Sequence, residues 1–224
     1  TIPAQGHDHS RCVVDDRDRE VCLHNAARRI ATLSPGATEV TWAAGAGDQV
    51  VAVVSYSDYP PQAQEVASVG SHTRIDLEAL VGLAPDLVIG WVTGNPAEQM
   101  ETLEALGMPV FYIEPRSVED VAHTIERLAR LAGTEPTGRQ AASEFRDGMA
   151  ALTARYRERD PVPTFYQVWD EPLMSVNNEH LIGQVVELCG GENVFGELER
   201  LVPRLDDEAV LAANPEAIIA GGMG

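Results

Sequence analysis

Short apolar runs alternate with amphipathic stretches along most of the chain. Residues 29–33, 50–54, 87–90 and 110–113 are apolar runs of strand length. Between them, apolar residues recur on single helical faces. Ser34 or Thr38 caps the first such stretch, which carries Val40, Trp42 and Ala43 and stops at Gly45 or Gly47. Asp76 caps the second, with Leu77, Leu80 and Val81 on one face and Pro85 at the exit. Pro96 opens a third, with Met100, Leu103 and Leu106 inward and Gly107 closing it. Ser117 caps a fourth, which runs through Val121, Ile125, Leu128 and Leu131 to Gly133. Residues 55–61, SYSDYPP, cannot extend the strand before them, because two prolines remove backbone donors; they read as a loop at a strand's end. This alternation predicts an α/β fold with a mostly parallel sheet.

Residues 137–160 break the rhythm. Ala141, Phe145, Met149, Leu152 and Tyr156 recur at helical spacing, which predicts one helix of about 30 Å ending at the PVP of residues 161–163. The sequence on either side repeats. Residues 75–89 read IDLEALVGLAPDLVI and residues 205–219 read LDDEAVLAANPEAII, so Asp76, Glu78 and Pro85 match Asp206, Glu208 and Pro215 at an offset of 130. Shared helix grammar is the plain alternative; duplication of a half-domain is the reading preferred here. It divides the chain into a tail and hairpin (1–27), a first lobe (28–136), a linking helix (137–160) and a second lobe (161–224). By analogy with the first lobe, about 40 further residues would complete the second.

Cys12 and Cys22 bracket CVVDDRDREVC, whose polar centre reads as a hairpin turn; a disulfide forms across it if the two positions face each other. That pairing leans toward an exported protein. Cys189 is then either a free thiol or bonded to a residue beyond this chain. The first ten residues lack the basic and apolar regions of a signal peptide, so the chain is cytoplasmic or a signal has been removed. Thirty-five acidic residues against sixteen basic ones give a net charge of -19. That balance excludes nucleic acid and a bare anionic membrane as partners, and it suits an acidic surface working at high salt.

An enzyme on a duplicated α/β scaffold finds little support. GxSxG, Walker, HExxH and GxGxxG patterns are absent, and the acidic runs at 15–18 and 206–208 lack calcium-loop spacing. The HDH of residues 7–9 is at most a weak metal binder on a tail. The rings say more. Tyr56, Tyr59, Trp91 and Trp169 stand at strand-to-loop transitions, and carboxyl ends of parallel strands line the usual crevice. Each ring alone fits core packing equally well; as a set they suit a large, flat, mostly apolar ligand.

The stretches RIATLSPGATE, VVSYSDYPPQAQ, IDLEALVGLAPDLVIGW, GNPAEQMETLEALGMPV and VVELCGGENVF together resemble the periplasmic cobalamin-binding proteins. These are the solute receptors of cobalamin ABC importers, in the helical-backbone group of siderophore, haem and corrinoid binders. The likeness covers residues 28–224. It implies two similar Rossmann-like lobes joined by one long helix, with the ligand cleft between them. It also implies a C-terminal extension whose cysteine pairs with Cys189. The expected ligand is cobalamin or a related corrinoid, with haem or an iron-siderophore as the alternative, and neither enzyme activity nor a resident cofactor is expected. Gly36, Tyr56 and Trp91 match ligand-lining positions. His72, Met174 and Val202 stand where close relatives carry tryptophan, phenylalanine and tryptophan, with Trp169 near enough to replace one lost ring. His72 would hydrogen-bond a corrin amide, ligate a metal, or face solvent. Glu78 and Glu208 match lobe-surface carboxylates that bind arginines of a dimeric ABC permease, itself coupled to cytoplasmic ATPase subunits; first-turn helix stabilisation would explain them equally. The resemblance implies a monomeric receptor in the periplasm or another extracytoplasmic site, free or lipid-anchored.

Overall fold

The structure, a computed structural model, describes residues 11–221. These form two bodies, one running to Glu114 and resuming over Ala122–Ser143, the other made of Pro115–Val121 and the chain from Glu144 onward.

The first body opens with a hairpin, β1 (Arg11–Val14) and β2 (Glu20–Leu23), in which Cys12 lies directly opposite Cys22 and is bonded to it. The buried Asp15 carboxylate shapes the turn by accepting the Arg17 and Arg19 N–H groups, each at 2.9 Å. The chain then runs through β3 (Ile30–Thr32), α1 (Pro35–Ala43), β4 (Val50–Ala52), β5 (Gly70–Ser71) and β6 (Arg74–Ile75). It continues with α2 (Leu77–Gly82), β7 (Leu87–Trp91), α3 (Ala97–Ala105) and β8 (Val110–Ile113), and includes α4 (Val118–Ala132) from Ala122 onward. Four strands make one wholly parallel sheet in the order β4–β3–β7–β8, with Ile30 level with Val50 and Leu87, and Val88 level with Val110. A central parallel strand is covered on both faces, which is why β7 reads LVIGW rather than alternating. Leu33, Leu80, Leu87, Ile89, Leu103, Phe111, Leu128 and Leu131 are fully buried, each contributing roughly 1.5–3 kcal/mol by leaving water.

Local chemistry sets the ends. Ser34 rather than Thr38 caps α1, its Oγ accepting the Ala37 N–H at 3.1 Å, because Thr38 is already a turn inside the helix. Asp76 Oδ1 accepts the Ala79 N–H at 3.0 Å. Ser117 and Asp120 cap α4 reciprocally, at 3.1 and 2.9 Å. The hairpin is strapped to α4 by arginine: Arg127 pairs with Asp16 at 2.7 Å and donates to the Val14 carbonyl, and Arg130 donates to that of Cys12.

The long helix, α5 (Glu135–Tyr156), begins two residues before the expected start, since Pro136 is tolerated in a first turn, and ends four before the expected end. The expected stripe of Ala141, Phe145, Met149, Leu152 and Tyr156 is its half-buried face. The PVP of 161–163 is not the helix end; it enters β9 (Val162–Gln167). The chain goes on through β10 (Trp169–Asp170), β11 (Leu173–Met174), α6 (Leu181–Leu188), β12 (Gly191–Asn193), α7 (Asp207–Ala213) and β13 (Ala217–Ala220). The second sheet is also parallel, in the order β12–β9–β13.

The sequence repeat is a structural repeat. Both α2 and α7 start one residue after the capping aspartate, and β7 and β13 start ten residues after their helices do. Asp206 Oδ1 accepts the Ala209 N–H at 2.8 Å, as Asp76 does for Ala79. Before each matched proline the chain passes through the left-handed region, Ala84 at φ 47° and Asn214 at φ 46°. The surroundings differ. β7 is flanked by two strands, whereas β13, among the described residues, pairs with β9 alone, leaves Ile218 and Ile219 exposed, and follows a helix with no buried residue. Among the described residues no helix is long and apolar enough to cross a membrane.

Candidate functional site

In the first body, the loops after β3, β4 and β7 leave the carboxyl ends of the parallel strands, joined there by the β5–β6 turn. Buried hydroxyls anchor the SYSDYPP loop. Thr32 Oγ1 lies 2.7 Å from Thr38 Oγ1, which is 3.1 Å from the buried Ser57 Oγ. With Ser57 held inward, Tyr56 and Tyr59 project outward, 82% and 64% exposed. Tyr56 sits at φ 67°, a left-handed conformation disfavoured for a bulky side chain, and the Tyr59–Pro60 bond is cis.

Trp91 ends β7 half-buried. Its indole lies over Gly94, where a Cβ would come within 1.8 Å of the ring, so this turn needs glycine. The His72 ring lies against Trp91 with centroids 5.6 Å apart and planes tilted by 47°. Asn95, buried in the turn between β7 and α3, accepts the Trp91 N–H at 2.6 Å and donates to the carbonyls of Leu33 at 2.8 Å and His72 at 3.0 Å. Gly36 is exposed in the first turn of α1, with open space where a side chain would stand. One turn on, Glu39 loses enough hydration to lift its carboxyl above the ordinary range, and the neighbouring Asp58 charge adds to the lift.

In the second body, Trp169 and Met174 are directly opposed in the β10–β11 hairpin. Trp169 was expected to lead into a loop; instead the turn through Glu171–Pro172 folds the chain back, and the indole Nε1 donates to the Glu171 carbonyl at 3.1 Å. Met174 also bridges to Arg204, and the Ser175 N–H donates to the Pro203 carbonyl at 3.1 Å. Half-buried Val202 therefore lies on a segment running beside Met174. Trp169 and Met174 thus share one face of this hairpin with Val202 on the neighbouring segment, and Gly36, Tyr56, His72 and Trp91 lie on segments that follow the carboxyl ends of the first body's strands.

Other expected residues stand apart. Glu78 and Glu208 are exposed in the first turns of α2 and α7. Cys189, at the end of α6, is exposed and unbonded among the described residues. The HDH of residues 7–9 lies outside the described residues. Within them, Cys12, Glu20 and Cys22 are the only metal-sized trio, and the disulfide already occupies its two sulfurs, so His72 belongs to no such group. Cavities of about 420 and 340 Å³ lie beside β2 and at the end of α5; neither is lined by a candidate ring, and an open surface of rings is not an enclosed void. Asn95, Ser57 and Gly94 were not anticipated. Only the position of Asn95 in a turn, just before Pro96, hinted at one of them.

Residues 30–224 match the family described as "Periplasmic binding protein". The chain is 38% identical over 190 residues to the vitamin B12-binding protein of Vibrio parahaemolyticus, covering 85% of this chain and 69% of that protein. Its structure is similar to that of the periplasmic vitamin B12 binding protein BtuF of Vibrio cholerae, with TM-score 0.80 and 37% identity over 88% of this chain and 77% of the other. The periplasmic heme-binding protein RhuT of Roseiflexus, 24% identical at TM-score 0.78 over 88% and 76% of the two chains, shares the fold.

Proposed function

Because the chain belongs to the periplasmic binding protein family, we propose that it is a receptor that captures cobalamin or a close corrinoid and delivers it to an ABC permease. The observation that carries this reading is the His72–Trp91 ring pair at the strand ends, with the exposed Tyr56 on the loop after β4, in a chain 38% identical to a vitamin B12-binding protein. Capture of this kind needs no bond chemistry. Trp91 and Tyr56 offer apolar faces to a macrocycle, and the first turn of α1 at Gly36 leaves room for it to approach backbone N–H groups. His72 offers an imidazole edge to peripheral amides. In the second body, Trp169, Met174 and Val202 supply further apolar contact. We assign the receptor no reaction and no resident cofactor, and place it outside the cytoplasm, where the Cys12–Cys22 bond persists.

Glu78 and Glu208 are the proposed permease contacts, one carboxylate on each copy of the repeat, aimed at arginines of a two-subunit partner. Haem is the second reading, and the half-buried His72 imidazole favours it, since such a group can ligate iron. Calorimetric titration of the disulfide-intact protein with cyanocobalamin, cobinamide and hemin tests both. One-to-one cyanocobalamin or cobinamide binding supports the corrinoid receptor. Binding of hemin alone transfers the assignment to haem, and silence with all three removes both.

A further inference from the structure

Asn95 stands in the turn between β7 and α3 and is 8% exposed. Its side chain spends both functions of the amide. Oδ1 accepts the Trp91 N–H at 2.6 Å, while Nδ2 donates to the Leu33 carbonyl at 2.8 Å and to that of His72 at 3.0 Å. Its own N–H donates to the Trp91 carbonyl at 3.1 Å, closing the turn on itself. Leu33 immediately precedes Ser34, which caps α1 and so places Gly36. The three segments are distant in sequence, with Leu33 62 residues and His72 23 residues before Asn95. Leu33 and His72 lie just past the ends of β3 and β5; the Leu33 N–H still donates to the Ile89 carbonyl of β7 at 3.0 Å, while the carbonyls of both residues turn to Asn95.

We propose that Asn95 is a positioning residue, one that sets the His72 ring, the Trp91 ring and the Gly36 turn in the mutual arrangement that the ligand meets. The proposal rests on the receptor reading of this site. Asn95 is too buried to be a main ligand contact and acts through the groups that it holds. Its residue type follows from the chemistry. A carboxylate of the same shape would keep the Trp91 bond but lose both donors and bring an unpaired charge into a buried turn. An apolar residue would lose all three bonds and leave buried backbone groups unsatisfied. The packing of the 5.6 Å ring pair depends on two backbone positions, and both are bonded to this amide.

The test compares Asn95→Asp and Asn95→Ala with Thr134→Val, a control that removes a hydrogen bond to the Ala44 carbonyl at the far end of α1. The first readout needs no ligand. The Trp91 ring current displaces the His72 imidazole proton resonances, which are identified by their loss in His72→Gln. Both Asn95 variants are expected to move them toward the position of a free histidine, and Thr134→Val is expected to leave them in place. The second readout is cyanocobalamin affinity, measured where every variant is folded. Asn95→Ala is expected to weaken binding roughly tenfold, Asn95→Asp less, and Thr134→Val by under about twofold. Unmoved His72 resonances in both Asn95 variants overturn the proposal. So does an affinity loss in Asn95→Ala no larger than in a Thr134→Val control of equal thermal destabilisation. Failure of the unsubstituted protein to bind any corrinoid removes the receptor reading instead, and the ring-current comparison still decides whether Asn95 positions the two rings. An Asn95→Ala chain that does not fold leaves the isosteric Asn95→Asp to decide on both readouts.

Discussion

In the proposed site, Tyr56 sets stability against recognition within one residue. Its left-handed backbone costs about 1–2 kcal/mol in a residue with a Cβ, and with 82% of its surface exposed the ring recovers little of that by burial. Glycine takes the same φ freely, although its extra unfolded-state freedom offsets part of the gain. Tyr56→Gly is therefore expected to raise stability by about 0.5 kcal/mol while weakening corrinoid binding; urea denaturation and titration of one sample measure both. A stability loss would show that the ring packs on the loop. Glu39 gives a pH-dependent case. Its carboxyl is raised by lost hydration and by Asp58, so the folded state holds a proton over a pH range where the unfolded chain has released it. The stability linked to that proton is present below the unfolded pKa and is lost as pH rises through the folded one. Glu39→Gln should thus melt higher than the parent at about pH 7 and alongside it at about pH 3. Equal melting at both values would mean that the carboxylate is fully hydrated.

At the scale of elements, the two copies of the repeat carry the same cap in different settings. α2 buries Leu80 in the core, while α7 buries none of its residues. Asp76→Ala is accordingly expected to cost about 1 kcal/mol of global stability, because the helix that it starts belongs to the cooperative core. Asp206→Ala should barely move the midpoint and should appear instead as faster amide exchange over Asp207–Ala213. Equal global losses would contradict the view that α7 is loosely held. The first body's caps, helices and sheet strands were legible because each is decided within a few residues: Ser34, Asp76 and Ser117 act on amides one turn away, whereas α6 and its His180 cap were not read. The β10–β11 hairpin and the entry into β9 at Val162 were not, since strand pairing depends on partners that local pattern does not name. The site followed the same divide. Tyr56, Trp91 and Trp169 announce themselves as rings at strand ends, but the contact of His72 with Trp91 and the bonds of Asn95 to Leu33 and His72 join residues 19 to 62 positions apart. No spacing rule reaches that far.

At the scale of the whole molecule, charge is the dominant long-range fact. The net charge is -19, and every one of the sixteen basic residues is arginine. Several of these are engaged in the first body's hairpin: Arg11 with Glu135, Arg19 with Asp15 and Glu104, and Arg127 with Asp16. The acidic excess is left to repel itself. Salt therefore acts in two directions, weakening these partly exposed ion pairs and screening the acid–acid repulsion. Individual pairs of this kind contribute about 0–1 kcal/mol each, whereas the repulsion sums over the whole acidic surface and is relieved by unfolding. Repulsion should win. The melting temperature is expected to rise steadily as NaCl goes from about 0.1 M to about 1 M, while the screening length shrinks from about 10 Å to about 3 Å. Corrinoid affinity, which the proposed site would supply through ring contact and amide hydrogen bonds, should change far less over the same range. If the proposed docking holds, a permease complex made through Glu78 and Glu208 should weaken with salt, because that contact would be between opposite charges at a surface. Thermal scans, titrations and permease binding across one salt series separate the three behaviours. A falling melting temperature would mean that the arginine pairs of the hairpin contribute more than the net charge takes away.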